Sequence, residues 1–172
     1  MNNFSFLNDK PEYRSFSKDC IDAEAAFKTS YDSCVKLVRT ALDAAIKWLY
    51  ATEKKFPPGN LFELIEKAGF DKDLADKLLY CRIAGNAAIH NEKEFSAHEA
   101  RQCLKNLFDF VQWIDGHYGK NFQSRTFDAG EIPVKDPTWK KVLKGVGMVG
   151  AGALGTVALF VAWALSDDRE RR

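Results

Sequence analysis

An all-α bundle followed by one membrane-spanning helix is the architecture that this 172-residue sequence predicts. Three observations predict it. Apolar residues recur at helical spacing through most of residues 17–118, no segment sustains period-2 alternation, and residues 145–165 carry no charge. With 46% hydrophobic and 28% charged residues the composition is that of a globular chain. At about 100–200 residues per domain, the length allows one core and an appendage.

The first pattern runs from Ser17 to Lys54, where Phe27, Tyr31, Cys34, Val38, Leu42, Ala45 and Leu49 follow one another at steps of three or four. Such steps put all seven on one helix face, with Lys28, Asp32, Lys36, Arg39, Asp43 and Lys47 opposite. Thr29-Ser30 is a candidate break, and Phe56-Pro57-Pro58-Gly59 ends the run with residues that cannot continue a helix. Asn60 with Glu63 has capping-box order and opens a short helix through Leu61, Leu64, Ile65 and Ala68, closed by Gly69. A third helix opens near Asp71 to Asp73 and carries Leu74, Leu78, Leu79 and Ile83. A second capping box, Ser96 with Glu99, introduces Ala100, Cys103, Leu107, Val111 and Ile114, a helix reaching Tyr118 and Gly119. Short connections favour antiparallel neighbours, so residues 1–119 are expected to form a four- or five-helix antiparallel bundle. Residues 120–141 contain Gly130, Pro133 and Pro137 without periodicity and read as a linker or an arm lying on the bundle.

Residues 145–165 are 21 uncharged positions. At about 1.5 Å per residue they make about 31 Å of helix, the thickness of a bilayer's hydrocarbon core at about 30 Å. Trp139 and Trp163 stand near the two ends, where aromatic rings favour the interface. A transmembrane helix is therefore expected over residues 142–166, with a charged tail at 167–172. Gly147, Ala151, Gly155, Ala158 and Ala162 form one small-residue face on it, the kind that lets membrane helices approach closely and self-associate. The N-terminus, MNNFSFLNDK, has neither the cationic start nor the apolar run of a secretory signal. That missing signal puts the bundle of a single-pass protein on the cytoplasmic side of a bacterial inner membrane, a direction that Lys135, Lys140, Lys141 and Lys144 upstream against Arg169, Arg171 and Arg172 downstream favour only slightly.

Charge excludes one class of function. Residues 141–172 hold five basic and three acidic residues, leaving 20 basic and 21 acidic in the rest of the chain. A near-neutral domain lacks the broad field that drives sequence-independent nucleic-acid binding. Cys20, Cys34, Cys81 and Cys103 are far apart and form no C-x-x-C pair, so they read as reduced core residues and not as metal ligands. No metal and no cofactor are expected.

One group of residues has the chemistry of a site. Arg82, Asn86 and His90 recur at steps of four and so share one helical stripe. Together they offer a permanent cation, an amide and an imidazole, the set that metal-independent phosphodiester cleavage uses for charge stabilisation, orientation and proton transfer. Gly85 is a candidate break point that would carry His90 onto the loop Asn91–Glu94. The alternative is structural: the stripe bonds neighbouring helices while Gly85, Ala87 and Ala88 permit close packing.

The runs VKLVRTALDAAIKWLY, NLFELIEKAG, LLYCRIAGNAAIH and SAHEARQCLKNLFDFVQWIDGHYG resemble a bacterial helical domain of unknown function, found alone and fused to restriction-type subunits. That domain is a branch of the HEPN (higher eukaryotes and prokaryotes nucleotide-binding) superfamily. The likeness covers residues 15–119, and its most specific part is R-x-x-G-N-x-A-x-H at Arg82, Gly85, Asn86, Ala88 and His90. It implies a bundle that pairs with a second copy, and in active HEPN ribonucleases the Arg and His of both copies meet at the dimer interface. Here seven residues separate Arg82 from His90, more than active members usually have. A bundle with one membrane helix is also similar in architecture to small membrane accessory proteins of RNA-targeting CRISPR systems.

The function expected from these readings is a membrane-anchored oligomer in antiphage defence, acting by assembly in the bilayer or as a pore, its partners a second copy, lipid and another defence protein. A tethered ribonuclease using Arg82, Asn86 and His90 on RNA is the second reading, and a non-catalytic membrane adaptor the third.

Overall fold

Each helix start is written locally. In the computed structural model, which describes residues 2–91 and 93–130, α1 spans Ser17–Ala26, α2 Tyr31–Thr52, α3 Leu61–Lys67, α4 Lys72–Ile89 and α5 Ala97–Tyr118. The first apolar run is indeed interrupted at Thr29-Ser30. Ser30 is extended (φ −158°), and its side-chain oxygen accepts from the Ser33 N–H at 3.2 Å, which starts α2 as a new helix. Asn60 accepts from the Glu63 N–H, Asp71 from the Leu74 N–H, and Ser96 and Glu99 complete a reciprocal capping box. Gly69 follows α3 at φ +77°, the left-handed position that an L side chain rarely adopts.

The helix α2 lies at the centre and packs against α1, α4 and α5, while α3 leans mainly on α4. Val38, Leu42, Ala45 and Ile46 of α2 are buried together with Leu78 of α4 and Leu104, Leu107 and Val111 of α5. The four cysteines are buried and free. Burial pushes the Cys34 thiol up to about 12, and the Cys103 thiol is raised by its pairing with the Cys81 thiol together with burial. The Cys20, Cys34 and Cys103 thiols stay protonated, and all four cysteines serve as small apolar residues.

Ahead of α1 the chain makes two 3-10 turns, Ser5–Asp9 and Pro11–Tyr13. They bring Phe4, Tyr13 and Phe16 to full burial. Tyr13 and Phe16 both pack edge-on to Trp48, whose indole N–H donates to the Glu12 carbonyl at 2.9 Å.

The predicted architecture needs one correction. Among the described residues no helix is long and apolar enough to cross a membrane. The helices α2 and α5, 22 residues each, have the length. Both are amphipathic, with Lys36, Arg39, Asp43 and Lys47 on α2 and Lys105 and Asp109 on α5, and they bury one side against protein. The fold described is an all-α bundle of five helices, and the expected bundle plus transmembrane helix is withdrawn. Residues 142–166, with the small-residue face Gly147, Ala151, Gly155, Ala158 and Ala162, lie outside the described residues.

Candidate functional site

The stripe predicted from sequence lies on α4, and the helix does not break at Gly85. It runs on to Ile89, with the His90 N–H donating to the Asn86 carbonyl at 3.1 Å. Termination falls to Asn91, which takes φ +54°, a conformation that Asn tolerates better than most residues. The helix continues because Gly85 is needed for packing, not for a turn. A Cβ built there would stand 2.3 Å from Cβ, 2.7 Å from Cδ and 2.9 Å from Cγ of Arg39. The stem of Arg39 therefore crosses α4 directly over Gly85, and α2 and α4 touch along that line.

The three predicted site residues face different surroundings. Arg82 is 2% exposed and sets its guanidinium 5.5 Å from the ring centre of Phe62 on α3, a cation–π geometry. Asn86, also 2% exposed, turns toward α2, where Arg39 Nε donates to its Oδ1 at 2.5 Å. Its Nδ2 is buried with no hydrogen-bond partner among the described residues. His90 caps the end of α4 and is exposed. Two helical turns separate Arg82 from His90, about 12 Å of rise. The structure thus joins Asn86 to Arg39 one turn from Arg82, with His90 exposed at the C-cap one further turn along.

Arg39 is the member of this group that the sequence reading assigned to the solvated face of its helix. Its signal lay beside it: Val38 belongs to the buried stripe, and Arg39 is the next residue round the helix, close enough to turn inward where a glycine faces it. Further cations stand near the same end of the bundle. Lys36 Nζ donates to Asn91 Oδ1 at 3.3 Å, and the guanidinium of Arg101 lies 4.6 Å from the Phe27 ring centre. Among the described residues no group of three or more His, Cys, Asp or Glu side chains is arranged to hold a metal ion.

Chemically, then, this is a helical bundle with a polar seam between helices, where buried guanidinium and amide groups join neighbours. The chain belongs to the family of the domain of unknown function DUF4145, which matches residues 22–115, a segment that starts within α1, stops in the last turn of α5 and holds the seam. No curated protein and no solved structure matches the chain.

Proposed function

We propose that the protein is a non-catalytic helical interaction module of HEPN type, a self-associating adaptor in a bacterial defence assembly. In this reading the Arg82–Asn86 stripe holds α4 against α2 and α3. The burial of that stripe carries the reading, since Arg82 and Asn86 are enclosed by protein and the Asn86 amide oxygen is already engaged by Arg39. Cleaving a phosphodiester requires the cation, the amide and the imidazole to meet one phosphate. Within one copy two of the three face other helices, and the third sits exposed at the helix end, about 6 Å of rise beyond Asn86 and about 12 Å beyond Arg82. The HEPN affiliation and a second copy as partner are supported by R-x-x-G-N-x-A-x-H at residues 82–90, and the defence setting by the likeness to bundles fused to restriction-type subunits.

Purified full-length protein incubated with single-stranded RNA and a metal chelator tests this. Cleavage at the level of buffer alone is expected, together with a light-scattering mass of two copies that His90→Ala leaves unchanged. Metal-independent cleavage that His90→Ala abolishes, with helicity and mass preserved, would falsify the adaptor and favour a ribonuclease.

A further inference from the structure

Residues 122–129 lie outside any helix or strand, and most hydrogen bonds of the arm go to other parts of the bundle. The Arg125 N–H donates to Gln112 Oε1 at 2.9 Å, the Asp128 N–H donates to Asn3 Oδ1 at 2.7 Å, and Asn3 Nδ2 donates back to the Asp128 carbonyl at 3.1 Å. Two side chains complete the grip. The Arg125 guanidinium lies 4.1 Å from the Phe6 ring centre and 3.5 Å from Asp115 Oδ2, and the Phe127 ring packs edge-on to Phe108 at 5.5 Å. The groove between the first 3-10 turn and α5 therefore reads a non-helical peptide in two ways: side-chain amides pair with its main chain, and an apolar and acidic lining selects Arg and Phe two residues apart.

None of these contacts depends on the peptide being covalently joined to the groove that holds it. The join is Gly119–Asn121, three residues after α5. Asn121 sits there at φ +57°, the left-handed region that residues other than glycine seldom adopt. We propose that the groove is a docking site for non-helical Arg-x-Phe-Asp segments and that its occupant in trans is residues 125–128 of a second copy, exchanged through this hinge. Arm exchange conserves every contact of the groove and changes only the hinge, which makes it a low-cost route to a dimer. In one chain the arm is held at an effective concentration on the order of millimolar, so exchange dominates where copies are concentrated by other means. The contacts involve neither α2 nor α4 and stand independently of the seam.

Complementation in the full chain tests the exchange. One variant carries a weakened groove, Asn3→Ala with Gln112→Ala, and keeps its arm. The other carries a weakened arm, Arg125→Ala with Phe127→Ala, and keeps its groove. Labelled with a donor and an acceptor dye, the mixed pair is expected to show energy transfer at about tenfold lower protein concentration than either variant mixed with itself, because competition within the chain is gone. An unlabelled peptide of residues 121–130 should abolish that signal. A labelled copy of the peptide should bind the arm-weakened variant about tenfold more tightly than the unaltered protein, a measurement that stands even if the groove variant fails to fold. Transfer no stronger in the mixed pair than in the self-mixed controls, with both variants helical, overturns exchange. Peptide binding without complementation assigns the groove to a segment of another protein and equally overturns the second copy as its occupant. No peptide binding to the arm-weakened variant removes the docking site altogether.

Discussion

Replacing Asn86 probes the seam at its narrowest point. Its Oδ1 accepts from Arg39 in a place where water has little access, so Asn86→Ala takes a hydrogen bond from a guanidinium and is expected to lower stability by about 1–3 kcal/mol in urea unfolding. His90→Ala, on an exposed cap, should stay within about 0.5 kcal/mol. Equal effects from both would contradict a seam that depends on buried polar pairing. A second residue-scale expectation concerns alkali. Tyr118 donates its hydroxyl to Glu53, and that bond, with burial adding to it, pushes the phenol up to about 12. In the unfolded chain a tyrosine ionises near 10. Because the folded value is raised, the stabilisation is fully present below pH ~10 and is lost as pH climbs from about 10 toward about 12. Melting temperatures measured over that range should fall less steeply in Tyr118→Phe than in the unaltered protein. Tyr13 and Tyr80, raised chiefly by burial, extend the decline of both proteins to higher pH.

At the scale of elements, the decisive contact is the crossing of α2 over α4 at Gly85. An alanine there gains helix propensity worth about 1 kcal/mol. It also sets a methyl 2.3 Å from Arg39 Cβ, an atom fixed by the backbone of α2 that cannot swing aside like the end of a long side chain. Overpacking costs about 1–3 kcal/mol, so the clash outweighs the propensity and Gly85→Ala should lower the melting temperature. A rise would mean that α2 and α4 separate without cost. This crossing also shows where sequence reading stops. The caps at Asn60, Asp71 and Ser96 were legible because each is settled within four residues, and the buried face of α2 because its period is local. The pairing of Arg39 with Asn86 spans 47 positions and depends on the register of two helices, which no local pattern states. Gly85 was ambiguous for the same reason, since a helix-breaking glycine and a glycine under a crossing stem look alike until the second helix is placed. The 3-10 turns over Ser5–Asp9 and Pro11–Tyr13 have no periodicity at all, and tertiary burial of Phe4 and Tyr13 accompanies them.

At the scale of the whole molecule, one carboxylate ties the two ends of the described chain to the bundle. Asp115 on α5 has no exposed surface; its Oδ1 accepts from Lys10 Nζ at 2.8 Å and from the Tyr13 hydroxyl at 3.0 Å, and Arg125 approaches its Oδ2. Lys10 donates further to the Lys120 carbonyl at 2.6 Å, so the N-terminal turns and the arm meet at the same ammonium. Gly119 makes room for them, since a Cβ there would fall 2.0 Å from Asp115 Oδ1 and 2.6 Å from the Tyr13 hydroxyl oxygen. Removing one member of a buried ion pair leaves the other charge uncompensated, at about 3–5 kcal/mol. Against a typical total of about 5–15 kcal/mol, that is a large share of the stability of a domain. Asp115→Ala should therefore shift the urea midpoint far more than either seam variant. It should also release both ends at once, because Lys10 and Arg125 lose the same anchor. Trypsin reports the release: cleavage after Lys120 and Arg125 is expected to accelerate together with cleavage after Arg14, while Lys36 within α2 stays protected. Faster cutting at the arm alone would show that the N-terminal turns are held by their aromatic contacts with Trp48 and not by the ion cluster. Cutting unchanged at both ends would mean that the cluster does not secure them.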